Sequence, residues 1–467
     1  GFNLGGIAHV GEKLYVSSRA EQAIIVIEES TGRILRRIKV DRPGPVAVYR
    51  SSVLSLELIA VSGTGIAHVD VLANEVHRMI YDLKIEPRGI AVDKTGQIFV
   101  TDGETHTVRV YDKHGMEAQQ IGTPGGPYAG PYEPERLVNP TGLAIAHDGR
   151  LWVTEQRWNP KRVSIWDPLG GEVEQERFGP APFGAAGGGF DPADESSWIG
   201  LMCRWKVDLD EQTASPTHVL MPVAHLGGRF ISERYHTVRQ DNRTYLIGIG
   251  KVTVVSEQQA DGSIRDVALI GSTQRLVEAC GGTPPPTLAP ALRRAHRSRK
   301  PMDPAEPGQG ALRVDRNGDG RCQEDEFDFA VSADSFAGAQ WGHAPSDLTL
   351  RVPAVRNGQH VLVNLKPTGF HGSGAPKYPD LDAAVAAAVP IAIDEQQTET
   401  ATDRFGNTVV NASPFMKSFT PFGEMLWRYP NHWRGVAGSA DAPLPTPGQI
   451  QGALFFVGMT PFDGKSD

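Results

Sequence analysis

The sequence predicts an all-β protein built from repeated four-stranded units, and two observations support this. Residues 87–122 contain four short apolar runs separated by Asp- and Gly-rich turns, the pattern of an antiparallel meander. The same pattern recurs at residues 6–40 and 139–179, and in a degenerate form at 43–83. One meander cannot bury both of its faces, so it needs neighbours of the same kind. A period of about 40 residues with four strands each predicts a β-propeller.

The clearest units resemble NHL repeats, which open with Pro-x-Gly-(Ile/Leu)-Ala and continue to an aromatic-Val-Thr strand. In one unit the matching residues are Pro87, Gly89, Ala91, Gly96, Val100, Thr101, Asp112 and Gly115. In another they are Pro140, Gly142, Ala144, Asp148, Gly149, Val153, Thr154 and Asp167. The resemblance is specific for residues 1–180. It implies a fold more firmly than a chemistry, because NHL propellers serve as interaction platforms, lyases or lactonase-like enzymes.

The later blades are predicted from weaker strand patterns at residues 198–209, 217–223, 235–271, 347–352, 360–365 and 408–429. Seven to eight four-stranded blades result. We expect blades one to six in residues 1–272, a small helical insertion in 273–335 and the remaining blades in 336–467. The strand pattern at 453–457 indicates either an incomplete last blade that continues beyond the given chain or an added edge strand.

Composition and charge narrow the classes of function. The net charge is −9 and the calculated pI is about 5.9, which argues against a general nucleic-acid-binding surface. No apolar run approaches the roughly 18 residues that span a bilayer. The chain begins at Gly1 rather than Met, which predicts either removal of a targeting segment or a fragment.

The chain has three cysteines, Cys203, Cys280 and Cys322, without CxxC spacing. An odd number in a chain of this length does not indicate a disulfide framework. We expect three buried thiols, with a Cys280–Cys322 bridge as the alternative.

Residues 315–326 (DRNGDGRCQEDE) form the motif with the most chemical content. Read as a twelve-residue loop, they place oxygen donors at positions one, three, five, seven, nine and twelve. The predicted ligands are Asp315, Asn317, Asp319, the backbone carbonyl of Arg321, Gln323 through a water, and a bidentate Glu326. A hard cation such as Ca²⁺ takes six to eight oxygens at about 2.3–2.6 Å, and Gly320 permits the sharp bend that gathers them.

This stretch resembles the EF-hand calcium loop. It departs from that loop at Cys322, where an aliphatic residue is usual, and in its short flanking segments. We expect one structural Ca²⁺ that fixes the insertion; the alternative is a metal-free surface turn. Residues 273–280 and 291–300 have helical character, and the second is strongly basic. We expect a solvated helical face there, with docking to an anionic partner as the alternative.

The insertion and the segment that follows it resemble extracytoplasmic bacterial propeller proteins without known activity. The residues of that segment are Trp341, Gly342, Asp347, Leu348 and Thr349. The resemblance implies a periplasmic or secreted location.

Candidate residues for chemistry lie where each innermost strand begins. They are Arg88, Thr141, Tyr235, His236, Trp341 and His343. A ring of His, Arg and Tyr serves a lyase as base and charge stabiliser, or binds a metal in a lactonase. We expect these residues to fill a polar channel instead. Asp191, Asp194 and Glu195 are expected to form an acidic surface loop, with a carboxylate pair as the alternative.

Two functions follow from these observations. The first is an extracytoplasmic calcium-binding propeller that acts as a binding or scaffold module for a protein or glycan. The alternative is a propeller lyase or hydrolase acting on a carbohydrate or related small molecule at the axial pocket. The sequence has no GxSxG elbow, P-loop or dinucleotide fingerprint, which favours the first.

Overall fold

The computed structural model describes residues 3–50, 56–85, 87–157, 160–179, 189–191, 193–200, 202–220, 235–249, 252–273, 275–276, 310–336, 341–343, 347–393, 397–403, 405–412 and 414–430. Within these ranges the chain forms eight β-sheets. The predicted all-β propeller class is therefore confirmed. The chain divides into two compact units, Gly1–Tyr128 with Tyr132–Ala181 and Ala129–Pro131 with Pro182–Asp467. None of the described helices is long and apolar enough to cross a membrane.

The first unit consists of four sheets, each a four-stranded antiparallel meander. Sheet one contains β1 (Leu4–Val10), β2 (Lys13–Ser18), β3 (Ala23–Glu28) and β4 (Ile34–Lys39). Sheet two contains β5 (Pro43–Arg50), β6 (Leu56–Ser62), β7 (Gly65–Asp70) and β8 (Glu75–Ile80). Sheet three contains β9 (Pro87–Val92), β10 (Ile98–Asp102), β11 (Thr107–Tyr111) and β12 (Glu117–Ile121). Sheet four contains β14 (Pro140–Ile145), β15 (Leu151–Glu155), β16 (Arg162–Trp166) and β17 (Val173–Phe178).

The glycine and threonine of the repeat stand where innermost strands of neighbouring sheets approach closely. A Cβ on Gly89 would lie 2.1 Å from the carbonyl oxygen of Thr141, so any side chain here would force the backbone to shift. The backbone N–H of Gly89 donates to the Thr101 hydroxyl at 2.7 Å, beside an irregularity in the β9–β10 register. In sheet four, Gly142 donates to Thr154 Oγ1 at 2.9 Å. The repeat glycine is thus required by close backbone packing against the next blade, and the repeat threonine accepts the N–H of that glycine within its own sheet.

The aromatic-Val pair of each repeat fills the spaces on both sides of its sheet. Phe99 and Val100 are fully buried neighbours on β10. Because successive side chains of a strand point to opposite faces, Val100 packs with sheet two and Phe99 packs with sheet four. A blade in this position has no solvent-facing side, and its middle strand is buried throughout.

The second unit also consists of four sheets. Sheet five contains β13 (Gly130–Pro131), β18 (Gly189–Asp191), β19 (Asp194–Gly200), β20 (Cys203–Asp208) and β21 (Thr213–Val219). Sheet six contains β22 (Tyr235–Gln240), β23 (Arg243–Gly248), β24 (Val252–Gln258), β25 (Ile264–Ser272), β26 (Gly310–Val314) and β27 (Phe327–Ala330). Sheet seven contains β28 (Ser335–Phe336), β30 (Leu350–Arg356), β31 (Gln359–Leu365) and β32 (Val389–Pro390). Sheet eight contains β29 (Trp341–His343), β33 (Gln397–Thr402), β34 (Thr408–Ala412), β35 (Phe415–Phe419) and β36 (Met425–Pro430).

One parallel pair interrupts the antiparallel pattern, because β29 joins β33 of sheet eight in parallel. A short helix, α1 (Leu381–Ala386), is capped by Asp380, whose Oδ1 accepts from the N–H of Ala383 at 2.8 Å. A core shared by sheets six and seven includes Tyr245, Val255 and Val361. The predicted strands near residues 347–365 and 408–429 are thereby confirmed.

The prediction of a helical insertion is wrong for residues 310–336, whereas Thr273, Arg275 and Leu276 are helical, as expected for residues 273–280. Strands β26 and β27 pair as a hairpin that extends sheet six beyond β25. The only regular helix found between them, within the described residues, is one turn of 3-10 helix, Glu324–Glu326. The run Phe-Asp-Phe-Ala of β27 is aromatic and pairs readily with a neighbouring strand, and that pairing outweighs weak helical character. The predicted basic helix at 291–300 lies outside the described residues.

Candidate metal centre

The hairpin loop between β26 and β27 gathers three of the predicted calcium ligands. Asp315, Asp319 and Glu326 each offer a carboxylate oxygen, and these oxygens lie within 4.8 Å of one another. Asp315 and Glu326 are buried, whereas Asp319 is exposed. Positions one, five and twelve of the loop therefore meet as predicted. This is the one such group of carboxylate, His or Cys side chains in the part of the chain that the structure describes.

The loop folds around the Asp315 carboxylate. Its Oδ1 accepts from the N–H of Gly318 at 3.0 Å, and its Oδ2 accepts from the N–H of Gly320 at 3.2 Å. Both glycines have left-handed φ values, +84° and +71°, which side chains with a Cβ adopt only with strain. The carboxylate thus organises the turn that brings Asp319 over it.

Two amide side chains close the exposed rim of the loop. Asn317 Nδ2 donates to Gln323 Oε1 at 2.7 Å, and Gln323 Nε2 donates to Asp319 Oδ2 at 2.6 Å. The structure therefore brings the predicted ligands Asn317 and Gln323 together with Asp319. Both amides carry an oxygen suited to a hard cation.

Arg313, which the sequence reasoning missed, is the internal counter-charge of this site. Its side chain is 1% exposed, and its Nε donates to Glu326 Oε2 at 2.9 Å. Its Nη2 donates to the carbonyl of Arg321 at 2.5 Å and lies 3.6 Å from Asp315 Oδ1. Arg313 thus contacts three of the six predicted ligand groups. A charged residue between Leu312 and Val314 in a strand was the signal available in the sequence.

A second arginine approaches from β25. Arg265 Nε lies 3.7 Å from Asp315 Oδ2, and its Nη1 donates to the carbonyl of Gly318 at 2.6 Å. Its Nη2 donates to Glu257 Oε2 at 2.7 Å. The loop is therefore tied to sheet six by two guanidinium groups.

Glu326 provides the test of whether the site fits a cation. Burial raises the pKa of its carboxyl group; Arg313 opposes that shift, and the charge of Asp315 adds to it. Its Oε1 is buried and has no hydrogen-bond partner. A buried polar atom without a partner is unfavourable, and a cation beside Asp315 and Asp319 would supply the missing interaction. The donors are oxygens alone, the set that Ca²⁺ takes. The residues therefore fit the predicted ion.

The cysteine prediction is partly wrong. Cys322, at position eight of the loop, is disulfide-bonded, whereas Cys203 is a buried thiol. The remaining cysteine, Cys280, lies outside the described residues. The loop is thus covalently tethered beside the Arg321 carbonyl.

The residues predicted to line an axial site are only partly described. Thr141 is half-exposed and its Oγ1 lies 3.3 Å from Thr154 Oγ1, a contact within its own sheet. The side chains of Tyr235, Trp341 and His343 lie outside the described residues. The lyase or hydrolase alternative therefore stays a prediction.

The acidic residues 191–195 do not form a uniform surface loop. Asp194 and Glu195 are exposed, as predicted. Asp191 is buried, and its carboxylate accepts from Arg239 at 3.0 and 2.6 Å and from Arg204 at 3.4 Å. The prediction is wrong for Asp191 because two arginines from other strands cover it.

The class defined by these features is an all-β protein of propeller type with an oxygen-lined hairpin loop. Residues 85–111 match the family model of the NHL repeat, which confirms the resemblance in that unit. No functionally curated protein matches the sequence.

Similar solved structures include two lyases and a synthase. A streptogramin B lyase is 14% identical with a TM-score of 0.29, over 56% of this chain and 82% of that one. The virginiamycin B lyase from Staphylococcus aureus is 13% identical with a TM-score of 0.29, over 56% and 83%. Hydrazine synthase from Kuenenia stuttgartiensis is 12% identical with a TM-score of 0.29, over 92% and 96%. Similarity at this level carries no argument about activity.

Proposed function

We propose that this chain is a calcium-stabilised β-propeller that binds a protein or glycan partner in an extracytoplasmic compartment. The observation that carries the calcium part is the buried Glu326 Oε1 without a partner, beside the Asp315 and Asp319 carboxylates. Three carboxylates in one small volume repel one another, and Arg313 and Arg265 compensate only part of that charge. A divalent cation would relieve both problems at once.

The role of the ion would be structural. Its ligands come from a hairpin loop that closes strands β26 and β27, and the predicted donor set leaves no position assigned to a substrate. Calcium binding would hold this hairpin against β25 and so stabilise sheet six.

The disulfide at Cys322 supports the extracytoplasmic location. Disulfides persist in oxidising compartments and are rare in the reducing cytosol of most organisms. The binding role rests on the fold, since propellers present many turns on a rigid scaffold.

Calorimetric titration of the purified, calcium-depleted chain with CaCl₂ tests the metal assignment. We expect one ion per chain and a raised midpoint of thermal unfolding, both abolished in Asp315→Asn and in Glu326→Gln. Asp325→Asn is the matched control, because Asp325 is exposed in the same loop and outside the predicted ligand set.

The assignment is refuted if the parent chain takes up no calcium, or if Asp325→Asn and Asp315→Asn lose it equally. If MgCl₂ at the same concentration stabilised the chain equally, the site would still bind a divalent cation, but its assignment to calcium would be refuted.

A further inference from the structure

A hydrophilic cleft separates sheets five and six within the second unit. It has a volume of about 540 Å³, and eight of its nine lining residues are polar, Ala260 being the exception. Three of those residues are arginines: Arg204 on β20, Arg239 on β22 and Arg243 on β23. We call this feature the arginine cleft. No local motif predicts it, because its residues come from five strands and the turns beside them.

Two of the three arginines share one buried carboxylate. Arg239 binds Asp191 with its Nε and Nη2, and Arg204 Nη1 lies 3.4 Å from Asp191 Oδ2. The Arg239 side chain is nevertheless 49% exposed, so part of its guanidinium faces solvent. Exposed Asp194 adds a weaker negative charge near Arg239. The buried Asp191 carboxylate therefore forms ion pairs with two guanidinium groups.

The third arginine is arranged in the same way. Arg243 binds Glu257, which also accepts from Arg265 Nη2 at 2.7 Å. The Arg243 side chain is 42% exposed. Both carboxylates are thus shared, and the walls of the arginine cleft carry more positive than negative charge.

Two further atoms of the lining residues lack partners. Arg204 Nε and His218 Nδ1 are buried without a hydrogen-bond partner. Burial, followed by the charge of Arg204, lowers the pKa of His218, so its ring is neutral near pH 7. Arg204 also donates from Nη2 to Gln258 Oε1 at 2.6 Å. Arg204 Nε is a donor, whereas His218 Nδ1 donates or accepts according to its tautomer, and buried polar atoms of either kind normally have partners.

We propose that the arginine cleft binds a sugar acid, a monosaccharide or disaccharide that carries a carboxylate. Guanidinium groups recognise carboxylates through paired N–H donors. The amide and hydroxyl side chains of Asn242, Thr244, Gln258 and Gln259 supply donors and acceptors for sugar hydroxyls. The volume lies within the roughly 300–1,000 Å³ of small-molecule sites, and the charged and amide side chains that line the cleft favour a ligand that is itself polar. This proposal specifies the glycan part of the proposed function and does not depend on calcium.

Calorimetry with D-galacturonate and D-glucuronate as probes tests the proposal, with D-galactose and sodium sulfate as comparisons. We expect at least one uronate to bind, the neutral sugar not to bind, and sulfate to bind at least tenfold more weakly. Arg243→Gln is the informative variant, because Glu257 keeps Arg265 as a partner and sheet six should still fold. It should lower uronate affinity at least tenfold. Arg150→Gln is the matched control and should leave affinity unchanged, because Arg150 is a half-exposed arginine in the β14–β15 turn that pairs with Asp148.

Each contrary result is decisive. If neither uronate binds the parent chain, the proposal is overturned. If sulfate binds as tightly as the uronates, the cleft is an inorganic-anion site and the sugar-acid assignment is wrong. If Arg243→Gln and Arg150→Gln have equal effects, the ligand binds elsewhere. Calcium titration of the same sample separates this failure from a failure of the metal assignment.

Discussion

Replacing Arg313 with methionine should loosen the β26–β27 hairpin strongly when calcium is absent. The side chain of Arg313 is 1% exposed, and the carboxylates it faces, Glu326 and Asp315, are 1% and 0% exposed. Because no solvent screens this group, removing the guanidinium leaves Glu326 without a cationic partner and Asp315 with Arg265 alone. Breaking a buried ion pair from one side costs about 3–5 kcal/mol. Methionine keeps most of the apolar stem, so the loss is one of charge and hydrogen bonding.

Amide hydrogen exchange of peptides covering residues 310–330 measures this effect locally, which avoids treating two compact units as one transition. In calcium-free buffer we expect exchange about 10²- to 10³-fold faster than in the parent, since about 1.4 kcal/mol corresponds to a factor of ten. Adding calcium should recover most of the difference, because the ion replaces the lost positive charge. Arg316→Met, on the exposed side of the same loop, should change exchange less than tenfold.

The reasoning fails on either of two results. Unchanged exchange in calcium-free Arg313→Met would show that the guanidinium does not balance these carboxylates. A large loss that calcium does not reduce would show that Arg313 acts on the hairpin without relation to a cation site.

Two other predictions concern the sheets. Gly89→Ala should destabilise the first unit by about 1–3 kcal/mol, because the added Cβ meets the Thr141 carbonyl at 2.1 Å. Gly372→Ala should be neutral, because a Cβ at that position has no heavy atom within 4 Å. Differential scanning calorimetry compares the two variants, and equal unfolding midpoints would refute the packing argument. Burial raises the pKa of Asp266 from 3.8 to about 6, so its protonated form is favoured in the fold. Its stabilising contribution is complete below about pH 3.8 and is lost as pH rises through about 6. Asp266→Asn should therefore gain stability relative to the parent between pH 4.5 and 7. If calorimetry shows a constant difference between the two proteins over this range, the assignment is contradicted.

The repeat made the first unit predictable because every blade is encoded locally. Phe99, Val100 and Thr101 sit next to one another in the sequence and determine packing on both faces of the sheet and the contact with Gly89. The grouping of three carboxylates at the candidate metal centre was predictable for the same reason, since Asp315, Asp319 and Glu326 lie within twelve consecutive positions.

The remainder depended on contacts between distant segments. The hairpin β26–β27 pairs with β25, and about 40 residues separate Ser272 from Gly310, so no local pattern revealed its partner. Asp191 was expected at the surface because Arg204 and Arg239, which cover it, are 13 and 48 positions away. The arginine cleft could not be predicted from spacing, since charged residues on separate strands converge only after the sheets have formed.

The extension of sheet six also bears on how this protein avoids self-association. In a four-stranded blade the outermost strand leaves a row of backbone N–H and C=O groups open, and such an edge can template pairing with a second chain. Here the fourth strand, Ile264–Ser272, is nine residues long, nearly all buried, and hydrogen-bonded to the added hairpin. The new edge is the four-residue strand Phe327–Ala330, which packs beside helix α1. The loop that gathers the carboxylates therefore also connects the two strands that cover β25. If this hairpin detached, the long, largely buried edge of β25 would be open to pairing with a second chain.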